Sequence, residues 1–120
     1  MTMRKPSSIH DLLEKEYGTS FIIREDPYGV GDADSASKQL FPSDPARIAF
    51  YFINLSTGVM YLRPSQLAAS ATAGIRIDSS GGDLFVAWRD DGILPSFEWQ
   101  VIGDDNNLAF FVLEYRVPVD

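Results

Sequence analysis

The sequence has no cysteine and a single histidine, His10. Without cysteine there can be no disulfide, no thiolate zinc site and no cysteine nucleophile. A small secreted domain more often relies on disulfides, so an intracellular origin is the expectation. One histidine, placed in the first turn of an expected helix, is a poor centre for a Ser-His-Asp arrangement, which holds an imidazole between a hydroxyl and a carboxylate. The missing second histidine also counts against a cupin-type metal site. Basic residues are scarce, ten Lys and Arg against seventeen Asp and Glu, for a net charge of -7. Only Arg4 and Lys5 are adjacent. No basic stripe exists to neutralise phosphates, so neither nucleic acid nor an anionic membrane is expected as partner. No apolar run reaches the length of a membrane span, and none follows the basic N-terminus as in a signal peptide. A soluble protein is expected.

What is present is apolar and aromatic: 45% hydrophobic residues, with eight Phe, five Tyr and two Trp in 120 residues. That length suits one domain with a core of its own. Ser8 can cap a helix in which Ile9, Leu12, Leu13 and Tyr17 share one face, and Gly18 can end it. A helix of about nine residues is not stable alone and must dock. Residues 19–24 (TSFIIR) read as a strand. Glu25 to Ala46 shows no periodicity and carries Pro27, Gly29, Gly31, Pro42 and Pro45. So long an unpatterned stretch is uncommon inside a domain. It reads as an extended arm that orders against a neighbour, the alternative being a loop across its own sandwich.

From Arg47 onward, short strands alternate with turns. Residues 47–55 and 59–63 flank Ser56-Thr57-Gly58, a turn fit for a tight hairpin. Residues 74–78 and 83–89 flank Ser79-Ser80-Gly81-Gly82, and 97–102 and 108–117 flank the turn from Gly103 to Asn107. With the strand near Phe21 this makes seven or eight strands and no further helix. The fold class expected is mainly β: an antiparallel, jelly-roll-like sandwich with one short N-terminal helix and an extended N-terminal arm. Residues 1–45 form the helix, strand and arm, and 46–120 the sandwich body. Phe97, Trp99 and Val101 alternate with polar Glu98 and Gln100, giving one wet face. Leu84, Val86 and Trp88 form a similar inner row. Residues 48–53 and 108–113, however, are apolar on both faces, and one sandwich core covers only one.

The carboxylate pairs Asp32/Asp34, Asp90/Asp91 and Asp104/Asp105 lie in loops. Loop carboxylates can bind calcium, but Gly31-Asp32-Ala33-Asp34-Ser35 lacks the glycine and distal Glu of an EF-hand loop, and turn chemistry accounts for these residues more simply. A glycosidase pair would join Asp90 or Asp91 to Glu98, with a separation the sequence does not fix. Gly81-Gly82 is followed by no helix and no Gly-Lys-Ser/Thr, so it is a turn and not a phosphate loop. Trp88 and Trp99 fall on apolar rows, where core packing is the default. Tyr28, Tyr51 and Tyr61 remain for sugar contact.

One ordered series of motifs runs from Asp44 to Glu114. It comprises Asp44-Pro45-Ala46-Arg47-Ile48-Ala49, Asn54-Leu55-Ser56, Val59-Met60-Tyr61-Leu62, Gly74-Ile75-Arg76-Ile77, Gly81-Gly82, Asp90-Asp91, Glu98-Trp99 and Val112-Leu113-Glu114. In this order they resemble small β-sandwich structural proteins of tailed bacteriophages, of the capsid cement, decoration or head-fibre-base type. The resemblance covers roughly 60% of the chain and leaves out its first 43 residues. It implies a virion structural protein, assembled in the host cytoplasm, with further copies of itself and other virion proteins such as the major capsid protein as partners. It implies no catalytic residue, cofactor or metal. The contacts expected are Ile9, Leu12, Leu13 and Tyr17 on the helix, Phe41 in the arm, and Phe50, Phe52, Phe110 and Val112 on the doubly apolar strands. The alternative is a carbohydrate-binding module of a fibre or adhesion device, and a small hydrolase acting through Asp90 and Glu98 is a third reading.

Overall fold

In the computed structural model, which describes residues 22–25 and 28–117, nine strands build two antiparallel sheets. Sheet A holds β1 (Ile22–Arg24), β2 (Val30–Ala33), β4 (Arg47–Asn54), β7 (Asp83–Ala87) and β9 (Leu108–Arg116). β1 pairs with the C-terminal end of β9 and β2 with its N-terminal half, so the two act as one interrupted edge strand. The order across sheet A is therefore β1/β2, β9, β4, β7, and across sheet B it is β3 (Lys38–Phe41), β8 (Trp99–Gly103), β5 (Met60–Arg63) and β6 (Ile75–Ile77). With β1/β2 counted once, successive strands alternate between the sheets except at β5–β6, the winding of a jelly roll. The expected mainly β, antiparallel sandwich is the observed one. The expected N-terminal helix lies outside the described residues.

This winding corrects one expectation. Ser56-Thr57-Gly58 joins no hairpin, because β4 lies in sheet A and β5 in sheet B; the other two turns likewise cross between the sheets. Buried Asn54 shows why the chain turns a corner here. Its Oδ1 accepts from the Ser56 amide and hydroxyl, at 2.9 and 2.7 Å. Its Nδ2 donates to the carbonyls of Gly58 and Asp78, at 2.8 and 3.1 Å. One side chain thus ties the β4–β5 corner to the β6–β7 corner, satisfying backbone groups that no ladder reaches.

The expected arm is also revised. Residues 28–46 are woven into the sandwich as β2 and β3, each only four residues long and at a sheet edge. Short edge strands need little apolar alternation, which is why the pattern did not reveal them. The division at residue 45 marks no structural boundary, since strands from both sides of it pair in the same sheets. Trp88 does not continue β7. It begins a four-residue helical turn, α1 (Trp88–Asp91), closed by Gly92 at φ 63°, a conformation that favours glycine. A 3-10 turn over Leu94–Ser96 follows. Trp88 is 52% exposed, whereas Trp99 is fully buried as expected.

Candidate functional site

Between the sheets, the core is built on Phe41, Phe50, Phe52, Met60, Leu62, Trp99, Val101, Phe110 and Val112. Phe50 meets Phe41 and Trp99 edge-on at 5.0 Å between ring centres. The expected contact residues Phe41, Phe50, Phe52, Phe110 and Val112 are therefore inside the sandwich and no more than 5% exposed. They cannot touch a neighbour. The opposite phase of the same strands points out: Ala49, Tyr51 and Ile53 on β4, and Phe111, Leu113 and Tyr115 on β9. Phe85 joins them from β7, opposite Tyr51. Ile9, Leu12, Leu13 and Tyr17 lie outside the described residues, as does His10.

This outer face of sheet A has its own apolar cluster. Ala49, Ala87 and Tyr115 are buried, and Ile48, Tyr51, Phe85, Leu113 and Val117 pack around them. Phe85 and Tyr115 meet edge-on at 5.9 Å. The Tyr51 hydroxyl donates to Asp83 at 2.6 Å, which raises the phenol's pKa. Burial raises that of Tyr115. Both rings therefore stay neutral at physiological pH. The cluster runs on through Ile48 into a mainly apolar cleft of about 340 Å³, lined also by Pro45, Trp88 and Ile93, with Arg47 and Ser96 in its wall. Ile93 is 62% exposed.

One charged constellation lies inside the fold at the same end. Between Arg47 and Ala49 the β4–β9 register slips, and this bulge turns Arg47 out of phase with Ala49 and into the sandwich. Its Nη1 donates to Glu114 at 2.9 Å, its Nε to the Pro95 carbonyl at 2.7 Å, and its Nη2 to the carbonyls of Pro42 and Phe97 at 2.6 and 2.9 Å. The guanidinium also lies 3.9 Å above the Phe41 ring. Burial lowers the Arg47 pKa while Glu114 pushes it back, and a guanidinium starts so high that it keeps its charge. Arg24 donates to the second oxygen of Glu114 at 2.9 Å. Nearby, Arg116 pairs with Asp44 at 2.7 Å. Partial burial would raise the Asp44 pKa, but the bonds from Arg116 and the Ala46 amide together outweigh it and lower it. The sequence reading missed this network. The available signal was Glu114, a charge in phase with Phe110 and Val112, the inner row.

Three of the loop carboxylates, Asp34, Asp91 and Asp105, are engaged by local structure. Asp34 accepts from the Asn107 amide and from Lys38, which together lower its pKa. Asp91 accepts from the Ala87 amide, and Asp105 from the Asn106 amide. Among the described residues no group of three or more His, Cys, Asp or Glu is placed to hold a metal ion. Nor do Asp90 and Asp91 line the cleft that holds Glu98. Tyr28 packs on the core against Phe41, and Tyr61 lies on sheet B opposite Arg76. No family model, curated protein or solved structure matches the chain.

Proposed function

We propose that the chain is a non-enzymatic assembly subunit that associates with further copies of itself through the outer face of sheet A. The carrying observation is the apolar cluster on that face, in which half-buried Tyr51, Phe85 and Leu113 surround buried Tyr115, separate from the core. In a chain of net charge -7, the one charged side chain that β4, β7 and β9 set on this face among the described residues is Asp83, at its β7 edge, where it accepts from the Tyr51 hydroxyl. Aromatic enrichment with charge depleted at the centre is the composition of an interface core. A second copy offers a face of matching chemistry, and two-fold symmetry sets the same residues against each other.

Size bounds the contact. Three strands about 4.8 Å apart, each about five residues long, make a face of roughly 250 Å². A stable interface takes about 800 Å² per partner. The face is thus the centre of a contact, widened by the adjoining Trp88 and Ile93.

The setting we propose is the particle of a tailed phage, with the chain as a capsid cement or decoration protein touching the major capsid protein. Its support is the ordered motif series from Asp44 to Glu114, together with a jelly-roll winding that also serves viral capsid proteins. Two measurements test the reading. The full chain should sediment as a multiple of its 13.3 kDa mass. It should also be found by mass spectrometry in purified particles. A chain that stays monomeric and is missing from particles refutes the proposal.

A further inference from the structure

A second cleft, of about 370 Å³, opens on the sheet B side and is lined by Ser43, Pro64, Ser65, Gln66, Phe97 and Glu98. Its size is in the range of small-ligand sites. Its walls are fixed from beneath. Arg47 holds the carbonyls of Pro42 and Phe97, the residues just before Ser43 and Glu98. The Asp44 amide donates to the Ser96 carbonyl at 2.8 Å, joining the two loops. On the third side, buried Gln100 donates through Nε2 to the Ser65 carbonyl at 3.1 Å and to Glu98 Oε2 at 2.6 Å. The cleft is preorganised, so a ligand would not have to order it.

The polar groups at its mouth are less fully used. Glu98 forms no ion pair among the described residues, and its bond from Gln100 engages one oxygen only. The Gln66 amide and the Ser43 hydroxyl have no hydrogen-bond partner among the described residues. A carboxylate acceptor, an amide that both donates and accepts, and a hydroxyl thus line one cleft together with Pro64, over Phe97, which packs on the core. Neutral hydroxyl groups satisfy such a set in both directions, and the Pro64 ring offers an apolar surface to the C–H face of a sugar. We infer that this cleft binds a neutral saccharide of one or two units. Glu98 is the one carboxylate among its described lining residues, and hydrolysis needs a flanking pair, so the chemistry inferred is binding. The site is separate from the outer face of sheet A and stands whether or not the chain self-associates.

The test is amide NMR of the full chain titrated with neutral mono- and disaccharides, and separately with a free guanidinium salt. The inference expects saturable shifts confined to the Ser43, Ser65–Gln66 and Phe97–Glu98 amides with at least one sugar, at millimolar affinity. Glu98→Gln and the exposed Gln66→Ala, both of which leave the core untouched, should weaken that affinity by about threefold to tenfold. No shift at tens of millimolar sugar overturns it. So do shifts located elsewhere, shifts unchanged in both variants, or a response to guanidinium alone.

Discussion

At the scale of single residues, the polar constellation around Arg47 carries the sharpest expectations. Removing Glu114 leaves a buried guanidinium without its counter-charge, so Glu114→Ala should destabilise the fold by about 3–5 kcal/mol in urea unfolding. Arg47→Lys keeps the charge but not the planar fork that reaches Glu114 and three carbonyls, and should lose about 2–4 kcal/mol. A loss below 1 kcal/mol in both would mean the network is slack. Asp44 adds a pH dependence. Its carboxyl is lowered in the folded state, so its contribution is present above the unfolded carboxylate pKa and is lost as pH falls through the lower folded value. Melting temperature should fall between about pH 5 and pH 2, and Asp44→Asn should flatten part of that limb. Little of this was legible beforehand. Glu114 in phase with Phe110 and Val112 signalled a buried partner, but the bulge that re-aims Arg47 depends on pairing across 67 residues.

At the scale of elements, the strands were legible and their phase was not. Period-two alternation marked Phe97 to Val101 because Glu98 and Gln100 stand between apolar neighbours. In β4 and β9 both phases are apolar, so alternation cannot say which row faces the core. The structure decides it through β7, whose Val86 and Leu84 stand opposite Phe50 and Phe52. The consequence is measurable. Phe52→Ala, inside the core, should cost about 3–5 kcal/mol. Leu113→Lys, on the outer face, should cost about 1 kcal/mol or less in the isolated subunit. Equal costs at the two positions would mean that the outer row is packed as tightly as the core. The corners were equally hidden. A three-residue turn between apolar strands fits a hairpin, and only the bonds from Asn54 to Ile77 and Asp78 reveal that a second corner sits beside it.

At the scale of the whole molecule, two faces of one jelly roll have different chemistry. Outside sheet A the surface is apolar and aromatic at its centre. Outside sheet B, Tyr61, Arg63 and Arg76 lie on the strands, and the cleft of Ser43, Gln66 and Glu98 opens beside them. The sandwich was legible in the sequence from strand count and turn spacing, and the surplus apolar surface from the doubly apolar strands. The cleft was not, because its described lining residues come from three separate stretches of chain that only the fold brings together. The central claim is association through the outer face of sheet A. Sedimentation equilibrium of the full chain beside Leu113→Lys tests it most directly. The account predicts a folded wild type that associates with rising concentration and a folded variant that stays at the 13.3 kDa monomer. A wild type that is monomeric throughout, or a variant that associates equally well, would contradict it.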